Sequence, residues 1–153
     1  MTDEILKTIF IHLSRAKAAL AEMSSWESLD TTIFDDFQKV KTADTFIFRF
    51  IKLQDAMGDK LFKSFLDEIG DYRDDMSMID VLDKLEKLRI IDNVRDWTKY
   101  RKLRNKLAHE YPDNEDSIIE GIKSSVHVFE YFEQILERIS NYRRERNLGK
   151  YKQ

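Results

Sequence analysis

The sequence predicts an all-α fold, in the form of an antiparallel up-and-down bundle of four to five main helices. Only four glycines and one proline occur in 153 residues, whereas an all-β or α/β fold of this length would need many more turns. Apolar residues also recur at helical spacing over long windows of the chain. The length suits one domain with a substantial core, so we expect residues 1–153 to form a single helical domain.

The first half of the chain predicts two helices. The first runs from about Asp3 to Met23, where apolar residues form one stripe, and the segment SSWESLDTT that follows is rich in capping and turn residues. A second, long helix is predicted from about Ile33 to Ile69. Its apolar residues lie on more than one face, which is typical of a helix that is central or shared with a second subunit. Gly58 is the position at which we expect this helix to kink or divide.

The second half predicts three further helices. Ser77 is placed to cap a short helix. The next helix begins near Asn93 and ends at Tyr111, because Pro112 cannot continue it comfortably. The acidic segment DNEDS then starts the last helix, where negative charge is favourable. The final stretch, at about 141–153, is basic, and we expect it to fray.

Several functional classes are excluded by what the sequence lacks. The chain has no cysteine, which removes disulfides, thiolate metal sites and cysteine nucleophiles. No P-loop, G-x-G-x-x-G or G-x-S-x-G motif is present. The N-terminus lacks the basic region of a signal peptide, and the most apolar window, TFIFRFI, is short and contains Arg49. We therefore expect a cytoplasmic protein without a membrane helix, a metal site or a cofactor of its own.

The charge is unevenly distributed along the chain. The net charge of −3 gives no general attraction to nucleic acid. From Arg95 to Lys106, however, there are six Lys and Arg against one Asp, and from Arg138 to Lys152 six against one Glu. Each stretch fits either a local contact with a phosphate backbone or a solvated helix face, and the sequence leaves both interpretations open.

The segment LRNKLAHEYPDN carries the residues with the clearest chemical potential. At about 100° per residue, with Arg104 at zero, Arg101 lies near 60°, Asn105 near 100° and His109 near 140° on a helical wheel. The helix therefore has a polar arc opposite an apolar flank. Because Arg104 and His109 do not share one narrow face, their joint action needs a local bend near Pro112 or a second copy across a cleft.

These residue types fit the cleavage of a phosphodiester. The guanidinium of Arg104 offers forked donors to phosphate oxygens. The imidazole of His109 can take a proton from a ribose 2′-hydroxyl or return one to a leaving oxygen near neutral pH. Asn105 lies four residues before His109 and can orient a ring or a phosphate; Arg101, on the same arc, has a supporting role. Since the 2′-hydroxyl is an internal nucleophile, this chemistry needs no metal and predicts specificity for RNA.

The eight residues RNKLAHEY, from Arg104 to Tyr111, resemble the R-x4-H-x-Y motif of the HepT toxins in the HEPN superfamily. The position of the motif, on a late helix before a final long one, is also compatible with that family. The resemblance implies one HEPN-like helical domain and a homodimer whose two motifs face a shared cleft. It further implies a toxin with metal-independent ribonuclease activity, with tRNA or mRNA as candidate substrates, in which Arg104 and His109 are catalytic.

The resemblance also implies a partner. HepT toxins are silenced by a cognate minimal nucleotidyltransferase antitoxin, MntA-like, which transfers AMP from ATP to the tyrosine of the motif. Tyr111 matches that position and would be a modification site, not a catalyst; as a structural residue it would be a half-buried core tyrosine. ATP would then be used by the antitoxin, and the toxin would hold no cofactor.

Two alternative functions remain open. The chain could be a non-catalytic helical subunit that docks a nucleotidyltransferase and presents a nucleotide or substrate to it, with Arg104 and His109 binding phosphate. It could also be an interaction module with a degenerate motif. The other two histidines, His12 and His127, lie among apolar positions and are better interpreted as surface or packed residues than as ligands. Acidic residues at 74–75 and 115–116 have no histidine at metal-ligand spacing.

Overall fold

Helices account for all the regular secondary structure in the computed structural model, which describes residues 1–110 and 113–149. The α-helices are α1 (Thr2–Ser24), α2 (Phe37–Ala56), α3 (Phe62–Glu68), α4 (Met78–Lys87), α5 (Val94–Glu110) and α6 (Glu115–Glu145). A π-helical segment at Met57–Leu61 joins α2 to α3, so the described residues form five helical rods. The predicted all-α class is confirmed. Within the described ranges, none of the helices combines the length and the apolar character needed to cross a bilayer.

Consecutive long helices run in opposite directions, as in an up-and-down bundle. Contacts across each interface show the opposite directions, because residue numbers rise along one helix while the numbers of the residues they contact fall along the other. The pairs are Thr2–Ser64 and His12–Arg49 between α1 and α2–α3, Trp97–Phe62 and Arg104–Asp55 between α5 and α2–α3, and Tyr100–Tyr131 and Leu107–Gly121 between α5 and α6. The predicted bundle architecture is therefore confirmed.

Polar caps start three helices where the sequence predicted them. The Ser77 hydroxyl accepts the backbone N–H of Asp80, whose carboxylate accepts the N–H of Ser77, a reciprocal capping box at the start of α4. Asn93 and Asn114 each accept the backbone N–H three residues further on, at the starts of α5 and α6. These starts depend on contacts within four residues, which explains why the sequence reveals them.

The long second helix departs from its predicted form at its start. It begins at Phe37 and not near Ile33, because Asp36 is extended and its carboxylate accepts backbone N–H groups of the first helical turn. Residues 31–35 form a separate 3₁₀ turn. Gly58, the predicted site of a kink, lies in the π-helical segment. A Cβ at Gly58 would lie 3.3 Å from Cζ2 of Trp97, so the missing side chain allows α5 to approach closely.

The core is built on aromatic rings from the two halves of the chain. Trp97 of α5 packs with its ring centroid 4.8 Å from that of Phe62 and 5.4 Å from that of Phe132, which ties α5 to both α3 and α6. Phe50 stacks on Phe132 at 5.5 Å. These rings are completely or almost completely buried, so they fix the position of α5, the helix that carries the candidate motif.

The basic C-terminal stretch is more ordered than the sequence predicted. Helix α6 continues through Glu145, so the expected fraying from about 141 is wrong for residues 141–145. The reason is Arg143, whose side chain is 2% exposed and lies 2.8 Å from both Asp3 of α1 and Glu68 of α3. Two carboxylates from other helices therefore hold the end of α6 in place. Residues 150–153 of the predicted tail lie outside the described residues.

Candidate active site

Helix α5 presents the candidate residues because its opposite side is packed on α6. Trp97 and Leu107 are its buried side chains. A Cβ at Gly121 of α6 would lie 2.7 Å from Cδ2 of Leu107, so the two helices approach closely at this glycine. This contact lies on the turn of α5 that carries Arg104 and leads to His109. The polar arc predicted from the helical wheel therefore faces α2 and solvent.

Arg104 is held by a carboxylate that sequence reasoning did not identify. Its Nε donates to Oδ1 of Asp55 at 2.9 Å and its Nη2 donates to Oδ2 at 2.7 Å, a two-point contact between α5 and α2. The two side chains are 25% and 31% exposed. The hydrogen bond to Asp55 is the main cause that raises the pKa of Arg104 above its ordinary value. The guanidinium is thus charged and fixed in orientation before any ligand arrives.

The two predicted supporting residues lie on either side of this pair. Asn105 accepts from Nη1 of Arg104 at 3.4 Å, a long hydrogen bond that involves a third N–H group of the guanidinium. Arg101 lies 3.9 Å from Asp59, and both side chains are more exposed than those of the Arg104–Asp55 pair. Asp55 near the end of α2 and Asp59 in the π-helical segment therefore face Arg104 and Arg101 on the same side of α5.

His109 lies in the last turn of α5 and is exposed. Within the described parts of the chain, the structure records neither a hydrogen bond nor an ion pair for its side chain. Helix α5 stays α-helical through Glu110, so Arg104 and His109 keep the angular separation of about 140° that a regular helix gives to positions five residues apart. A single copy of the described chain therefore leaves the two candidate catalytic residues apart, as the helical wheel predicts.

The turn between α5 and α6 is closed by hydrogen bonds around the end of the motif. The backbone N–H groups of Asp113 and Asn114 donate to the carbonyl of Glu110 at 2.8 and 3.1 Å. The hydroxyl of Ser117 donates to the carboxylate of Glu110. Tyr111, the predicted AMPylation site, and Pro112, the predicted helix stop, lie outside the described residues, so their roles stay predictions.

The remaining histidines occupy different surroundings. His127 is exposed on α6. His12 is half-buried between α1 and α2, with Nδ1 3.0 Å from Nη1 of Arg49. Among the described residues, no group of three or more His, Cys, Asp or Glu side chains is arranged to hold a metal ion.

Asp55 could not have been identified from the sequence around it. It lies 49 residues before Arg104, in a helix with several other acids, and no spacing rule links the two positions. The only hint is that two acids four residues apart match two arginines three residues apart on another predicted helix. That pattern occurs on many solvated helices, so it becomes informative only when the two helices are known to pack together.

Comparison of the chain with protein-family models, with curated proteins and with solved structures found no match. The likeness to HepT toxins therefore depends on the motif residues themselves, and the site described above is the physical basis for a proposal about function.

Proposed function

We propose that this chain is the toxin of a HepT-like toxin–antitoxin system and acts as a metal-independent endoribonuclease through Arg104 and His109. The observation that carries the proposal is the fixed guanidinium of Arg104, which Asp55 holds in place. Arg104 lies on α5, the motif helix, whose last turn exposes His109. A preorganised cation can stabilise charge that develops on a phosphate, and an exposed imidazole can accept the proton of a ribose 2′-hydroxyl.

The guanidinium retains donors for a phosphate after Asp55 has bound. Arginine has five N–H groups; two contact Asp55 and one contacts Asn105. One N–H on each terminal nitrogen is left for the two non-bridging oxygens of a phosphodiester. Asp55 then acts as a positioning residue that keeps Arg104 in one rotamer, and charge developing on the phosphate is stabilised by a donor set that needs no rearrangement.

The bond changes follow from the internal nucleophile. Neutral His109 accepts the proton of the 2′-hydroxyl, and the 2′-oxygen attacks the adjacent phosphorus. The bond from phosphorus to the 5′-oxygen breaks, and that oxygen receives a proton from a second, protonated imidazole. The products are a 2′,3′-cyclic phosphate and a 5′-hydroxyl. We assign the second imidazole to the partner's His109 in a homodimer, because the other two histidines of the chain, His12 and His127, lie on α1 and α6 and not on the helix that carries the motif.

The proposed off-switch acts at Tyr111. An MntA-like nucleotidyltransferase would catalyse attack of the tyrosine oxygen on the α-phosphorus of ATP, with release of pyrophosphate and formation of a tyrosyl-AMP ester. The added phosphodiester is negatively charged and bulky, and it lies two residues from His109. It would therefore repel the RNA backbone and obstruct the cleft. We place this toxin and its antitoxin in the cytoplasm, where both ATP and RNA are found.

One observation favours the alternative of a non-catalytic subunit. Asp55 occupies the flat edge of the guanidinium formed by Nε and Nη2, which is the geometry that a phosphate would otherwise take. If this carboxylate is a permanent substitute for phosphate, Arg104 serves to join α5 to α2, and the exposed surface of the motif docks a nucleotidyltransferase without turnover.

The test is cleavage of total RNA and tRNA by the purified protein in EDTA, compared with His109→Ala and Arg104→Ala. We expect 2′,3′-cyclic phosphate ends from the wild type and no cleavage by either variant. Matched controls are His127→Ala, an exposed histidine on α6, and Arg95→Ala, an exposed arginine on the motif helix; both should cleave normally. A wild-type protein that is inert while unmodified at Tyr111 by mass spectrometry would overturn the ribonuclease and leave the docking subunit as the better account.

A further inference from the structure

Two neighbouring cavities lie along the interface between α1 and α2, and together they form the surface that we name the α1–α2 groove. One part of it, with a volume of about 510 Å³, is lined by His12, Lys52 and Asp55 among others, and Asp55 is the residue that holds Arg104. A second part, of about 390 Å³, is lined by Arg15 and Arg49 among others. The two parts share no lining residue, and the contact of His12 with Arg49 at 3.0 Å lies between them. The first part reaches Asp55, the residue that binds Arg104, and the second lies further along the α1–α2 interface.

The middle of this groove is positively charged. Arg15, Arg49 and Lys52 surround His12, and after the effect of burial their charges lower its pKa, in the order Arg49, Lys52, Arg15. Because an arginine only donates, Nδ1 of His12 must accept from Arg49, which leaves the imidazole neutral with its proton on Nε2. His12 thus holds the Arg49 guanidinium toward the groove without adding a charge.

Acidic side chains line the groove only toward its ends, as far as the described residues go. Glu22 lies at one end, and Glu4, Asp55 and Asp59 lie at the other. Two of these four already have arginine partners on α5, since Asp55 binds Arg104 and Asp59 lies 3.9 Å from Arg101. Lys41 and Lys60 add a cation at each end. Five cations and four carboxylates line the two parts together, and the positive excess lies in the part with Arg15 and Arg49. That part favours an extended anion over an extended cation.

An exposed aromatic ring lies next to the central cations. Phe48 is 51% exposed, although most other phenylalanines of the described chain are buried. The Arg49 guanidinium carbon lies 5.2 Å from the centroid of its ring, and the Lys52 ammonium 5.6 Å. An exposed ring beside a line of cations is the arrangement with which proteins bind single-stranded nucleic acid, where bases stack on the aromatic ring and phosphates contact the cations.

We propose that the α1–α2 groove binds the single-stranded RNA that extends from the cleavage site, with Arg15, Arg49 and Lys52 contacting phosphates and Phe48 stacking on a base. This inference rests on the proposed ribonuclease function, because it takes its ligand from that function. It adds a binding surface on helices that do not carry the motif. A local cluster of cations of this kind attracts a polyanion even though the net charge of the chain is −3.

The test measures binding separately from cleavage. A fluorescein-labelled, fully 2′-O-methylated RNA of roughly 12 nucleotides, within the range of known single-strand binding sites, is titrated with the full-length protein and followed by anisotropy. Methylation blocks the internal nucleophile, so the probe stays intact. The titration is repeated between about 50 and about 200 mM salt, since the slope of log affinity against log salt changes by about 0.7 for each phosphate contact to a single strand.

Two variants and two matched controls make the test specific. Arg49→Ala with Lys52→Ala should reduce the magnitude of the salt slope by about 1.4, for two lost contacts. Phe48→Ala should weaken binding roughly 5- to 150-fold with the slope unchanged. The control for Phe48 is Ile79→Ala, which removes an exposed apolar side chain from α4, a helix that does not line the groove. The control for the cations is Lys87→Ala with Lys123→Ala, both exposed on other helices; neither control should change binding.

The outcomes separate this proposal from the ribonuclease. If the wild type binds the probe and the groove variants bind it equally well, the groove proposal is overturned while RNA cleavage in EDTA can still succeed. If groove variants lose binding but no RNA is ever cleaved, the groove stands and the ribonuclease falls. If a poly-glutamate peptide binds as tightly as the RNA probe, the assignment of RNA as the ligand is overturned in favour of an acidic protein. If Arg49→Ala lowers the melting temperature, Lys52→Ala is used alone, because Lys52 is exposed. The expected change in the salt slope is then about 0.7, for one lost contact.

Discussion

The contact between Asp55 and Arg104 is the feature of the site whose role can be measured most directly. The substitution Asp55→Asn keeps the shape of the side chain but removes its charge and turns one acceptor into a donor that faces Nη2 of Arg104. Hydrogen bonds to charged groups contribute about 1.5–3 kcal/mol when protected from solvent, and exposed ion pairs about 0–1 kcal/mol. Since the two side chains are about a quarter to a third exposed, we expect a loss of about 1–2 kcal/mol in the free energy of unfolding.

Asp59→Asn is the matched control for that measurement. Asp59 lies one helical turn from Asp55 and faces Arg101 at 3.9 Å, with both side chains more exposed, so its substitution should cost less than about 0.5 kcal/mol. Urea unfolding of both variants gives the comparison. A double-mutant cycle of Asp55→Asn with Arg104→Gln should give a coupling energy of about 1 kcal/mol or more; a coupling indistinguishable from zero would refute the structural role assigned to Asp55.

The same variant distinguishes a positioning residue from a phosphate substitute. If Asp55 positions Arg104, Asp55→Asn should lower kcat roughly 10- to 100-fold with little change in KM, because a small misplacement of a catalytic group is costly. If Asp55 only occupies the guanidinium, its neutralisation should tighten RNA binding and leave kcat unchanged or higher. RNA cleavage in EDTA at several substrate concentrations separates the two results. An Asp59→Asn variant with an equal loss of kcat would contradict the specific role of Asp55.

Two further predictions concern the scaffold. Arg143→Lys keeps the charge at the end of α6 but loses the forked guanidinium that contacts both Asp3 and Glu68, so it should lower the free energy of unfolding by about 1–2 kcal/mol. Arg143→Ala removes the buried side chain and both contacts, and it should lower the free energy of unfolding by about 2–4 kcal/mol. Urea unfolding at neutral pH measures both variants, and an unchanged midpoint for Arg143→Ala would contradict the buried role. Hydrogen bonds from Ser77 lower the pKa of Asp80 in the folded chain, so its contribution to stability is present above the unfolded pKa of about 3.9 and is lost as the pH falls through the lower folded value. The stability difference between the wild type and Asp80→Asn should therefore shrink on acidification below about pH 4, and a difference independent of pH would show that the charge of Asp80 is irrelevant.

Local chemistry explains what could be predicted from the sequence. The starts of α4, α5 and α6 were predicted because Ser77, Asn93 and Asn114 satisfy backbone N–H groups within four residues. The separation of Arg104 from His109 was also predictable, since it follows from the angle between neighbouring residues of a helix. The motif itself is a contiguous segment, so its chemistry could be recognised without knowledge of the fold.

The tertiary structure decided everything that depends on residues distant in the chain. Asp55 meets Arg104 across 49 positions, and Arg143 meets Asp3 across 140 positions. No local rule predicts either contact, and the second reversed the expectation that the chain frays from about 141. His12 and Arg49 likewise came into contact only when α1 was packed on α2. The sequence by itself determined the helices and the chemical types on their surfaces, because those depend on near neighbours; which charge faces which was determined by packing, because the burial of the apolar faces sets the helix pairs and the polar residues meet as a consequence.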